Sequence, residues 1–235
     1  MPPFPAELTL GSSSHWRREI GTNNSINFHI NQNIFFQLHF HLLRFGSNLD
    51  DKEEIAKFPV DYLSLIHMIS NSKNYAVVIW YPVTMNMMDM PGEFSSAIFL
   101  DKNKFRLTIL LAAGGHLLDT LEVLDIPTRI YLIDLRDGTV HDYFETEDES
   151  MVYATHIMNV WEEDGDKVVF DVSTNPWTAL RDATDIHNML DHNETDTDES
   201  PSVMKRVTLN INTKEVKKDQ TKGRYNNFLF MSDSG

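Results

Sequence analysis

Three observations predict an all-β fold for this chain. Runs rich in β-branched and aromatic residues recur at 6 to 9 residues, which is strand length. Short turns carrying Asp, Gly or Asn join several of them. Helical spacing stands out in a single segment.

The first such run is Ala76–Val83, which meets a proline that cannot donate to a sheet ladder. Arg129–Leu135 is the second; it enters the turn Arg136-Asp137-Gly138-Thr139 and returns as Val140–Phe144. The pattern repeats with Val152–Trp161, the acidic turn Glu162–Asp166 and Lys167–Val172. A third pass runs over Val203–Ile211 and turns at Asn212-Thr213-Lys214. Hairpins of this kind build a meander, a sandwich or propeller blades, and no fixed-period repeat selects among them. Trp177, Leu180, Ala183, Ile186 and Leu190 have helical spacing and predict a short helix near 177–190 that covers a loop. Asp191–Ser200 carries five acids in ten residues and reads as an exposed acidic loop, as does Glu145–Glu149.

The 235 residues suffice for one ordinary domain or two small ones. Thirty-five acidic residues against 20 basic ones give a net charge of −15, which excludes a nucleic-acid binder that needs a basic face. Hydrophobic residues are 41% of the chain, enough for a packed core. The absence of cysteine excludes disulfides, thiolate metal sites and thiol catalysis. The N-terminus has no basic and apolar leader, so a cytoplasmic protein is expected. The longest apolar runs fall far short of the roughly 20 residues of a membrane helix.

Without cysteine, chemistry at neutral pH falls to histidine, carboxylates or a metal. There are ten histidines, at 15, 29, 39, 41, 67, 116, 141, 156, 187 and 192. Zincin, Walker A, nucleophile-elbow and dinucleotide motifs are all missing. His39 and His41 lie two apart and share one strand face; they read as polar positions on a half-exposed strand before a metal pair. His187 and His192 read as surface and His116 as part of a turn, while His29 and His141 have no evident partner.

His67 and His156 sit in richer contexts. His67 is followed by Asn74 and Tyr75, then by the apolar run that meets Pro82. His156 is followed by Asn159, Trp161, Glu162, the turn glycine Gly165 and a strand ending at Asp171. Both stretches resemble motifs of the carotenoid cleavage oxygenase family, which includes the retinoid isomerase of the eye. The strand 133–140 and the arginine-led strand and turn 204–216 also look like family segments. His15, with Gly21, Thr22 and Asn27 behind it, is similar to the stretch holding the family's first ligand, although a second histidine and an acidic turn are absent. The resemblance spans about residues 12 to 216.

The resemblance implies a seven-bladed β-propeller with one Fe(2+) on its axis. It implies four histidine ligands, O2 as co-substrate and a carotenoid, apocarotenoid or retinoid as polyene substrate, cleaved to two carbonyls. Ligands far apart in sequence meet when each comes from the inner strand of a different blade. His15, His67 and His156, spaced by 52 and 89 residues, are the metal ligands so implied. Peripheral contact with a membrane is a further family expectation. At roughly 40–50 residues per blade, the chain is expected to form an incomplete propeller of about four to five blades, one domain over 1–235. No histidine after His192 offers a fourth ligand, and the family's ligand-orienting glutamates have no assigned counterpart here. Three readings follow: a fragment or truncated member of an iron dioxygenase, a non-catalytic degenerate paralogue acting as a binding or interaction module, or an unrelated acidic β-protein.

Overall fold

The computed structural model describes residues 7–13, 15–48, 51–85, 121–146, 151, 153–174 and 203–224. Among these residues the regular structure is β throughout. The expected helix near 177–190 and the acidic loop 191–200 lie outside them. No helix among the described residues is long and apolar enough to cross a membrane.

The first sheet contains β1 (Glu7–Ser12), β3 (Ser25–Asn33), β4 (Leu38–Phe45) and β5 (Lys52–Val60) in that order, with the short β2 (Arg17–Arg18) also paired to β3. The second contains β6 (Ser70–Asn71), β7 (Tyr75–Trp80), β10 (Thr128–Asp134) and β11 (Val140–Thr146). The third is a four-stranded meander of β12 (Ala154–Glu163), β13 (Lys167–Thr174), β14 (Val203–Asn210) and β15 (Val216–Arg224). A two-stranded ribbon of β8 (Val83–Met85) and β9 (Leu121–Val123) completes the described strands. Among the described residues, all neighbouring strands in these sheets pair antiparallel. Three antiparallel sheets, one of five strands and two of four, are the blades of a partial propeller.

Side-chain alternation explains how the sheets stack. Along β7, Val77 and Ile79 enter one core, while Ala76, Val78 and Trp80 enter another. On β10, Ile130 and Leu132 join the first core and Tyr131 and Ile133 the second. The partners in the first core include Val168, Phe170, Val172, Val207 and Leu209 of the third sheet. The partners in the second include Ile26, Phe28, Ile30, Phe40 and Leu42 of the first sheet. The second sheet is therefore apolar on both faces and lies between the other two. That is why its strands read as unbroken apolar runs in the sequence. On β3 the alternation is polar on the far side: Asn27, His29 and Asn31 oppose Ile26, Phe28 and Ile30.

The predicted turns fall where expected. The β12–β13 hairpin turns through Asp164 (φ 53°) and Gly165 (φ 77°), the left-handed pair that matches strand twist. The 76–83 run divides at Pro82, with β7 ending at Trp80 and β8 beginning at Val83.

Gly138 (φ 76°) closes the β10–β11 turn, and a Cβ there would stand 2.0 Å from the backbone oxygen of Ile55 on β5. Both the left-handed backbone and the backbone clash oppose a side chain. Gly138→Ala is expected to lower stability by at least about 2 kcal/mol, read from the urea midpoint. An unchanged midpoint would contradict the close approach of the first and second sheets at this turn.

Candidate functional site

His15, His67 and His156 belong to segments of three different sheets. His15 precedes β2, His67 occupies the irregular segment before β6, and His156 lies near the start of β12. The structure brings all three together. Ring centroids are 4.6 Å apart for His15 and His67, 5.1 Å for His67 and His156, and 5.7 Å for His15 and His156. The Nε2 atoms of His15 and His67 are 2.9 Å apart. As drawn, one of these nitrogens donates a hydrogen bond and the other accepts it.

Local contacts fix the backbone beneath the rings. The Ser13 hydroxyl accepts the His15 amide at 2.9 Å and donates to the His67 carbonyl at 2.8 Å. Asn27, buried on β3, donates its side-chain amide to the Ser13 carbonyl at 2.9 Å. Arg17 reaches from β2 to the carbonyls of Ile69 and Ile157 at 3.4 and 3.2 Å. Sequence reading assigned Ser13 and Arg17 no role, because neither residue type signals a partner far along the chain.

The other motif residues are clamps between and within sheets. The Glu162 carboxylate accepts three hydrogen bonds: from the Ser72 hydroxyl at 2.7 Å, the Asn74 amide at 2.9 Å and the Asn74 side chain at 2.8 Å. Burial pushes the Glu162 carboxyl up, but these bonds outweigh it and hold the group below the ordinary glutamate value. Asp171 accepts both arms of Arg206, at 2.8 and 3.0 Å, and that guanidinium lies 4.8 Å over the Trp161 ring. Tyr75 faces His141 at 5.8 Å and the Arg136 guanidinium at 5.7 Å.

His29, His39 and His41 form a second group on the polar face of the first sheet. His29 and His41 face each other across β3 and β4 with ring centroids 4.5 Å apart. His41 donates from Nδ1 to Glu54 at 2.6 Å. His41 is only 3% exposed, so it is a buried, paired group and not a half-exposed one. His116, His187 and His192 lie outside the described residues.

Electrostatics favour neutral rings at His67 and His156. Burial, reinforced by His15 and His156, pushes the His67 imidazolium down to about 4. Burial, with His15 and Arg17, lowers His156 as well. Lone pairs on the His67 and His156 rings are therefore available at neutral pH. Imidazole–metal bonds of about 2.1 Å at a right angle would put two ligand nitrogens about 3 Å apart, so the His15–His67 spacing suits neighbouring ligands of one ion. The donor chemistry fits a divalent transition metal, but no group of three or more His, Asp or Glu among the described residues is closed to metal-binding geometry.

The same shift gives the metal-free chain a pH dependence. The unfolded His67 takes up a proton below about 6.5, while the folded one resists until about 4. Stability is thus unaffected above about 6.5 and falls as the pH drops through that window. The rings are partly exposed, so solvent screening reduces the expected loss to about 1–2 kcal/mol. Urea unfolding at a series of pH values checks this, and His67→Asn should flatten the slope.

The comparisons with known proteins agree with the fold. A model of the family described as retinal pigment epithelial membrane protein (RPE65) matches residues 3–232. A mutant of the Synechocystis apocarotenoid oxygenase, ACO, is similar in fold at a TM-score of 0.60 with 17% identity. A chimera of ACO and RPE65 gives 0.58 with 18% identity, and cobalt-substituted Synechocystis ACO gives 0.57 with 19%. In each case the alignment covers 89% of this chain and 38% of the solved one, so the chain spans well under half the length of these structures. No curated protein matches in a sequence comparison. With the family model matched over nearly the whole chain, this protein belongs to the RPE65 family of carotenoid cleavage oxygenases.

Proposed function

We propose that His15, His67 and His156 are three of the four Fe(II) ligands of a dioxygenase that cleaves a double bond of a carotenoid or apocarotenoid with O2. The observation that supports this is the convergence of three imidazoles from three separate sheets onto one point. Three half-buried imidazoles packed against one another, two of them held neutral, are a costly arrangement for a surface or packing role and a suitable one for metal binding. Among the similar structures, one is of cobalt-substituted Synechocystis ACO.

Bound at this trio, a ferrous ion would supply the open coordination positions at which O2 is activated. The chain's own contribution is positional. Ser13 and Arg17 hold the backbone carrying the rings, and Glu162 holds the second and third sheets at a fixed spacing. In the overall reaction one alkene and one O2 give two carbonyls, one oxygen atom in each. The substrate is an apolar polyene, delivered from a membrane or a micelle.

The test is incubation of the chain with Fe(II), O2 and a carotenoid in detergent, with aldehyde products identified by chromatography and mass. Products that disappear in His156→Ala support the proposal. A chain that binds metal through the trio yet forms no aldehyde favours the non-catalytic paralogue.

A further inference from the structure

We infer that Arg17 is the positioning residue that sets His67 and His156 against each other, an inference that rests on the metal-site reading for its functional consequence. Both histidines sit where the sheet ladder does not fix the backbone. His67 lies in an irregular segment before β6. His156 lies between two register shifts of the β12–β13 pairing, at Ala154/His156 and Ile157/Asn159. Irregular backbone needs donors from elsewhere to hold its carbonyls.

Arg17 supplies them. Its own backbone is anchored by pairing with Ile26, two residues after His15. Its Nε donates to Ile69, two residues after His67, at 3.4 Å. Its Nη2 donates to Ile157, the residue after His156, at 3.2 Å, and lies 3.6 Å from the Met68 sulfur. One planar fork therefore joins the segments of all three histidines. Charged donors make stronger hydrogen bonds than neutral ones, and the rigid fork fixes direction as well as distance. A lysine keeps the charge but is a single point on a flexible stem, so it cannot hold both carbonyls in that geometry.

The experiment compares the wild-type chain with Arg17→Lys and Arg17→Gln by two readouts. One is the nuclear Overhauser contact between the imidazoles of His67 and His156 in the metal-free chain, whose ring centroids are 5.1 Å apart. The other is Co(II) affinity by titration of the visible absorption. Both variants should lose at least half of the inter-ring contact and weaken Co(II) binding at least about tenfold, the scale of loss for a group that orients ligands. A variant that melts earlier but keeps wild-type ring contacts and Co(II) affinity overturns the inference, since that is a purely structural role. If Arg17→Gln does not fold, Arg17→Lys decides by the same readouts. If the wild-type chain binds no Co(II), the metal-site reading fails, and the ring contacts alone still decide the role of Arg17.

Discussion

Replacing His156 by alanine is expected to weaken Fe(II) binding by at least about 100-fold. Groups that merely orient a ligating histidine are worth about 10- to 100-fold in metal affinity, so a ligand should be worth more. The His156 ring stands 5.1 Å from His67 and 5.7 Å from His15, and no other described side chain of its type shares that position. His67→Ala should do the same, because the His67 ring stands 4.6 Å from His15 and 5.1 Å from His156. Anaerobic titration with Fe(II) and equilibrium dialysis reads the change. Three imidazoles leave the ion's charge uncompensated, so the wild-type chain should itself bind weakly. Tight, stoichiometric Fe(II) that survives His156→Ala would remove this site from consideration.

The second large effect is expected at Glu162, which binds no metal. Glu162→Ala should destabilise the protein by about 3 kcal/mol, because three hydrogen bonds to one charged acceptor are lost together. Those bonds join β12 of the third sheet to the turn before β7 in the second. Glu162→Gln keeps the shape but replaces one acceptor by a donor that faces donors, so it should lose roughly half as much. Both should also weaken metal binding, since the clamp sets the spacing of the edges carrying His67 and His156. Chemical denaturation of the two variants gives the first effect and metal titration the second. Wild-type stability in Glu162→Ala would show that the sheets are held by their apolar core alone.

The second and third sheets were legible in the sequence for a physical reason. Residues such as Val77, Val78, Ile79 and Trp80 are buried on both faces, so no polar position interrupts the run. Turn residues such as Asp164, Gly165 and Gly138 need left-handed backbone, which marks them locally. The first sheet was largely hidden. Its β3 and β4 interleave Asn27, His29, Asn31, His39 and His41 with the apolar residues, and β5 opens with Lys52, Glu53 and Glu54. A polar, covered sheet face has no sequence signature of its own. His67 and His156 were found through motifs of several residues, but their meeting with His15 was implied by the family resemblance alone, because spacings of 52 and 89 residues carry no geometry of their own. The motif residues Asn74 and Glu162 were each noticed without their bond to each other, which spans 88 residues.

The middle position of the second sheet has a consequence for cooperativity. Alternate residues of β7 and β10 belong to two different cores, so neither core can open without exposing half of the same two strands. An outer sheet that detached would strip one apolar coat from the middle sheet and leave it as a two-layer remnant. The three sheets are thereby bound into one folding unit, and the histidine trio assembles or disperses with that unit as a whole.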